Sequence, residues 1–310
     1  MRSRWISAGL AAALFIAGCG EKQKAAAAPA AADGAIAAAG DGPAMWRVAD
    51  DDSTIYLFGT FHLLPAALEW TSPAYEAAMA ETPFTMVEVD AKSPEAQARM
   101  SALVRALGLN PPGVTLSERL GPARAARFRA IAERYGASMA AMESLKPWLA
   151  MITLSVHVMQ QEGFQGETGA EAAILARAAA EGDRIAYLES AEYQIRALAS
   201  LDEEEILADF DASLEQFDDF RSFSQRMLGA WRRGDIAALE KETLAPMRET
   251  APAAFRTLIT DRNANWAREI ESILDGSDDY FIAVGAGHLI GEDSLVDLLE
   301  EAGRRVERVQ

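Results

Sequence analysis

Two apolar runs, each closing on Gly-x-x-His, stand near opposite ends of this chain. The first is STIYLFGTFHLLP, residues 53–65, and the second is YFIAVGAGHLIG, residues 280–291. Each run reads as a buried strand, and Gly59 and Gly285 read as turn residues where the strand breaks. If both strands share one sheet, its two halves come from sequence-distant parts of the chain. Ligands of open α/β sheets gather at the carboxyl ends of strands, so His62 and His288 would meet there. Neutral imidazole serves there as a ligand for transition metals or as a general base. The competing reading is two structural histidines, each closing a turn. The third histidine, His157, lies within the apolar run LSVHVMQ and reads as a packed helical side chain.

Acidic residues supply the other candidates. Glu88 sits inside the apolar run PFTMVEVD, flanked by Val87 and Val89. It either faces solvent or is buried with a partner, because burial of an unpaired carboxylate is costly. Glu189 ends RIAYLE in a similar position. Glu171 falls in the first turn of a helix, where the helix dipole alone favours an acid. Arg262, in TDRNANW, could orient a substrate carboxylate, stabilise an oxyanion or pair with a surface acid. Serine-hydrolase, phosphate-loop, dinucleotide-loop and HExxH patterns are all missing.

Between the two motifs the pattern is mainly helical, with the helical middle spanning about 93–275. Helices open on Ser72-Pro73 and Ser93-Pro94 and close at Gly108, Gly136, Gly163 and Gly182. Ile206, Phe210, Leu214, Phe217, Phe220, Met227 and Trp231 recur at three- and four-residue spacing and mark one apolar face. The acids from Asp202 to Asp219 fill the other face and read as a solvated surface. At the front, Asp50-Asp51-Asp52 turns the strand MWRVA into a hairpin with STIYLFGTF. At the back, RVERV reads as an edge strand. The fold class is α/β, with a sheet formed from N- and C-terminal strands and covered by a large helical insertion.

The net charge of −18 argues against general nucleic-acid binding. The one cysteine, Cys19, excludes an internal disulfide and any thiolate metal site, so a metal would rest on His, Asp or Glu. Residues 1–19 read as a signal segment: Arg2 and Arg4, an apolar stretch too short to span a bilayer, then Ile16-Ala17-Gly18-Cys19. The segment resembles bacterial lipoprotein signals, which implies a lipid on Cys19. Gly20 after it implies the periplasmic face of the outer membrane, with the lipid as the only membrane contact. Residues 20–44 are an Ala-rich flexible tether, and 45–310 form the domain.

The ordered blocks STIYLFGTFHLLP, MVEVD, KPWLA, GAEAAILARAAAEGDRIAYLESAEYQI, LITDRNANW and FIAVGAGHLIGEDSLVDLLEEAGRRVERV resemble the TraB/PrgY/GumN family from about Trp46 to Val309. That family is similar to the Tiki metalloproteases and, more distantly, to erythromycin esterases and haem-binding ChaN-like proteins. The resemblance implies a divalent ion (Mn, Co, Fe or Zn) held by His62, Glu88 and His288. It implies catalytic parts for Glu171 or Glu189 as general base and for Arg262, which is followed by Asn263, on substrate or oxyanion. Relatives carry Asp at the position of Glu171, so the carboxylate is kept with a different reach. The implied function is a lipid-anchored envelope metallohydrolase acting on a peptide or other small substrate. The alternative is a non-catalytic pocket for haem, a peptide or a glycan.

Overall fold

The computed structural model describes residues 42–310. The expected signal segment, its Cys19 and nearly all of the tether lie outside the described residues. Within them no helix is long and apolar enough to cross a membrane.

Among the described residues there are eight strands: β1 Met45–Ala49, β2 Thr54–Thr60, β3 Leu64–Pro65, β4 Phe84–Val87, β5 Phe164–Gln165, β6 Arg184–Tyr187, β7 Tyr280–Gly285 and β8 Val306–Arg308. Six form one sheet in the order β6-β4-β7-β2-β1-β8. The strand β7, from the far end of the chain, sits between β2 and β4 and runs parallel to both. β4 and β6 are also parallel, whereas β1 is antiparallel to β2 and β8. Four adjacent strands therefore end at one edge. The hairpin at Asp50–Ser53 is closed by the Asp50 carboxylate, which accepts from the Ser53 backbone N–H and hydroxyl.

Most expected helices are found, with local signals as their cause. Ser72 caps Pro73–Glu81 and Ser93 caps Pro94–Leu107, each hydroxyl accepting a backbone N–H three residues on. Tertiary context altered several elements. Gly59 does not break its strand, since β2 runs to Thr60 and Gly59 pairs with Val284. β4 stops at Val87, so Glu88 lies just past the strand rather than inside it. The helix Leu116–Arg134 is interrupted at Gly121, whose φ of 73° precedes Pro122. The helical stretch that carries Arg262 begins as a short turn, Pro252–Phe255, widens into a π segment at Arg256–Thr260 and continues as Asp261–Leu274. The small sheet β3–β5 was not legible: it pairs Leu64 with Gln165 and fastens the insertion beside His62.

The acidic run folds as Glu203–Gln216 and Phe220–Arg232, joined by a 3-10 turn. Its acids are at the surface but not simply solvated. Glu203, Asp211 and Asp218 pair with Arg119, Arg124 and Arg134 of the facing helix. Phe210, Leu214, Phe217, Phe220, Met227 and Trp231 join the main core as expected from their spacing. Trp231 ties the insertion to the sheet: its indole N–H donates to the Gly59 carbonyl at 2.8 Å, and its ring stacks on Phe61. His157 Nε2–H donates to the Tyr135 backbone carbonyl at 2.9 Å.

Candidate functional site

The carboxyl edge of β2, β7, β4 and β6 delivers His62, His288, Glu88 and Glu189, in that order across the sheet. The helix Asp261–Leu274 brings Arg262 and Asn263 over the same edge, and the helix Ala170–Glu181 brings Glu171. The six side chains expected from the sequence, with Asn263 beside them, thus belong to one region of the fold. They separate into a buried cluster and a pair.

The cluster is built around Arg262, which is 2% exposed. Its Nε lies 3.1 and 3.2 Å from the two Glu189 oxygens. Its Nη2 donates to Glu88 Oε2 at 2.6 Å and to Glu189 Oε1 at 2.8 Å. Its Nη1 donates to the Leu258 carbonyl at 3.1 Å and to His288 Nε2 at 3.0 Å. A guanidinium has five N–H groups, and these contacts engage all of them. No donor is left for a substrate carboxylate or oxyanion, so the geometry gives Arg262 a positioning part in place of the expected contact with substrate.

Glu88, 1% exposed, also accepts from the Gly285 backbone N–H at 2.7 Å and from Gln194 Nε2 at 3.4 Å. Gly285 therefore does more than turn the chain, because its amide anchors the neighbouring strand's acid. Burial works against the Glu88 carboxylate, but Arg262, followed by His288 and His62, holds its pKa below the ordinary glutamate value. Burial pushes Glu189 the other way, above its ordinary value, and Arg262 offsets this only in part. One guanidinium cannot hold two buried carboxylates equally.

His288 is fixed by Asn263. The Asn263 amide N–H groups face the Asp293 carbonyl at 2.7 Å and the His288 carbonyl at 3.4 Å. Its Oδ1 is therefore the end that meets His288 Nδ1, at 2.6 Å, and it accepts that proton. The lone pair of His288 then lies on Nε2, where Arg262 donates. Burial and the adjacent guanidinium push the His288 pKa down to about 3, so the ring is neutral near pH 7. Trp266 closes the far side, 4.5 Å from the His288 ring and 4.5 Å from the guanidinium. Asp293, at φ 61° the one non-glycine residue with positive φ among the described residues, supplies the carbonyl that orients Asn263.

The pair is His62 and Glu171, with Nδ1 3.1 Å from Oε2 and side chains 8% and 13% exposed. Gly169 makes it possible. The Ala170 N–H donates to the Phe61 carbonyl at 3.0 Å, and a Cβ on Gly169 would collide with the His62 carbonyl. Gly59 has a milder steric reason: an added Cβ would sit 3.1 Å from Ala286 of the second motif. The two Gly-x-x-His turns pack directly on each other.

The expected ligand set of His62, Glu88 and His288 does not fit a divalent ion as it stands. His288 Nε2 and Glu88 Oε1 are 4.0 Å apart, about the widest span for two ligands of one ion with bonds near 2 Å. The His288 lone pair and Glu88 Oε2, however, are both turned onto the guanidinium. Among the described residues no group of three or more His, Cys, Asp or Glu is arranged to hold a metal.

Sequence reasoning passed over Gln194, Trp231, Trp266 and the steric need for Gly169. A glycine two residues before a first-turn acid was a usable signal for the last. The two tryptophans were indistinguishable from other members of an apolar stripe, and Gln194 carried no signal.

A fold that joins sequence-distant strands and brings two Gly-x-x-His turns into contact is what the resemblance led us to expect. The model of the TraB/PrgY/gumN family matches residues 44–308, and the chain belongs to that family. It is similar to the uncharacterized protein YbaP of Escherichia coli (strain K12), 25% identical over 184 residues that cover 59% of this chain and 67% of YbaP. The YbaP protein of Shigella flexneri matches with the same identity and coverage. No solved structure matches the chain.

Proposed function

We propose that this chain is a hydrolase of peptides, tethered to the periplasmic face of the outer membrane through Cys19. The observation that carries the reading is the His62–Glu171 pair, set at the edge where four parallel strands end. The Glu171 carboxylate, 3.1 Å from His62 Nδ1, favours the proton on that nitrogen and so makes Nε2 the basic one. It takes a proton from a water that attacks the substrate carbonyl carbon. As the C–N bond breaks, the imidazolium returns that proton to the leaving amine, and the remaining product is the carboxylic acid. Glu171 holds the tautomer and offsets the imidazolium charge, and the Arg262 cluster holds the edge rigid.

The test is a peptide mixture incubated with the purified full chain and read by mass spectrometry. Cleavage is expected with the wild type, with a loss of about 100-fold or more in His62→Ala. Equal cleavage by the two proteins, or none by either, would refute the reading. The metal-dependent form predicts stimulation by Mn, Co, Fe or Zn in this assay, whereas a cluster filled by Arg262 predicts none.

A second reading is a non-catalytic pocket for haem, a peptide or a glycan. It is favoured by the near-complete burial of Glu88, Arg262 and His288, which suits a cluster that keeps shape rather than one that reacts. Reconstitution with haem would then give a Soret band that His62→Ala abolishes.

A further inference from the structure

We infer that the guanidinium of Arg262 is the resident cation of this site, seated where Glu88, Glu189 and His288 would otherwise hold a divalent ion. The inference is independent of the hydrolytic reading. Three observations support it.

First, the donor set is that of a metal site: two carboxylates and one neutral imidazole, a combination suited to divalent transition ions. Second, the donors converge on the cation. Glu88 Oε2 and Glu189 Oε1 lie 2.6 and 2.8 Å from a single nitrogen, and His288 Nε2 lies 3.0 Å from the other terminal nitrogen of the same group. Third, His288 is oriented as a ligand would be. Asn263 takes the Nδ1 proton and leaves Nε2 facing inward, the arrangement in which an outer partner fixes a ligating imidazole. A strongly hydrated divalent ion cannot share this volume with a guanidinium, and the covalently attached cation has the advantage of being always present. His62 forms its ion pair with Glu171.

The consequence is a latent site. Removing the positive charge leaves two buried carboxylates without their cation, which is costly, and an ion of the same place and sign relieves that cost. The test compares the wild-type full chain with Arg262→Met, Arg262→Met/His288→Ala and Arg262→Lys, each incubated with manganese or zinc chloride and desalted. Bound metal is then counted by elemental analysis, and thermal unfolding is followed with and without the ion. The wild type and Arg262→Lys are expected to retain little metal. Arg262→Met is expected to retain about one ion per chain and to unfold at a higher temperature with the ion than without it. The double variant is expected to lose both effects. If Arg262→Met folds only when the ion is present, the inference holds. Two results overturn it: a wild-type chain that retains one ion per chain and loses it on His288→Ala, or an Arg262→Met chain that neither binds an ion nor is stabilised by one.

Discussion

Glu88 and Glu189 reach the same guanidinium from neighbouring strands, yet their protons are held in opposite ways. Against its burial, Glu88 is held charged by Arg262, then His288 and His62, whereas burial raises Glu189 and Arg262 offsets this only in part. His288 adds a third titration, since it is buried neutral with a pKa near 3 against an ordinary 6.5. The sign follows from proton counts. Between those two values the unfolded chain binds a proton that the folded chain does not, so stability is complete above about 6.5 and falls as the pH drops. Glu88 acts in the same direction below its ordinary 4.5. Glu189 acts oppositely, because its raised value makes the folded chain the better proton acceptor. We expect urea midpoints of the wild type to fall from pH 6.5 toward pH 4. In His288→Gln the fall should begin only near pH 4.5. An unchanged slope in that variant would show that His288 is not the group responsible.

At the scale of elements, the site depends on where backbones touch. The first turn of Ala170–Glu181 rests on the chain leaving β2, and Gly169 is the contact. Gly169→Ala should therefore cost roughly 3 kcal/mol or more, at or beyond the upper end of ordinary overpacking. Gly163 offers a control in the same segment. It has φ 89° and no atom near an added Cβ, so Gly163→Ala should cost only about 1–2 kcal/mol, from the left-handed backbone alone. Thermal unfolding of the two variants distinguishes collision from conformation, and equal losses would contradict the geometry. The π segment Arg256–Thr260 belongs to the same scale, since its Leu258 carbonyl accepts from the Arg262 guanidinium directly above. Such wide turns recur at functional sites.

Across the whole molecule, the insertion meets the sheet through a few buried aromatic side chains, while a row of half-exposed ion pairs joins two of its own helices. The pairs between Arg119, Arg124, Arg134 and their acids contribute little each, about 0–1 kcal/mol, and are screened by salt. Trp231 matters more, because its N–H satisfies the buried Gly59 carbonyl and its ring packs on Phe61 and Trp70. Trp231→Phe is expected to cost about 1–3 kcal/mol, since that carbonyl loses its donor. Raising salt to about 1 M should shift the urea midpoint less than this substitution does. The reverse order would mean that charge pairing within the insertion outweighs its packing on the sheet.

What the amino-acid order determined by itself is local. Apolar runs, the serine caps and the Asp50 turn depend on neighbours within a few residues and formed where those signals stood, although β2 ran past Gly59 and β4 stopped short of Glu88. The pairing of distant ends was also legible, because two buried parallel strands need a common sheet. Only the tertiary structure decided what the site residues touch. Arg262 could have met a surface acid, a substrate or a buried pair, and no spacing in the chain distinguishes these. Its partners come from β4, β6 and the turn after β7, and burial makes the choice: a guanidinium with no water must find every acceptor within the protein. The same holds for Gly59. Its sequence marked a strand's break, whereas pairing with Val284 kept it within β2, and the space beside it is taken up by Ala286 arriving from the other end of the chain.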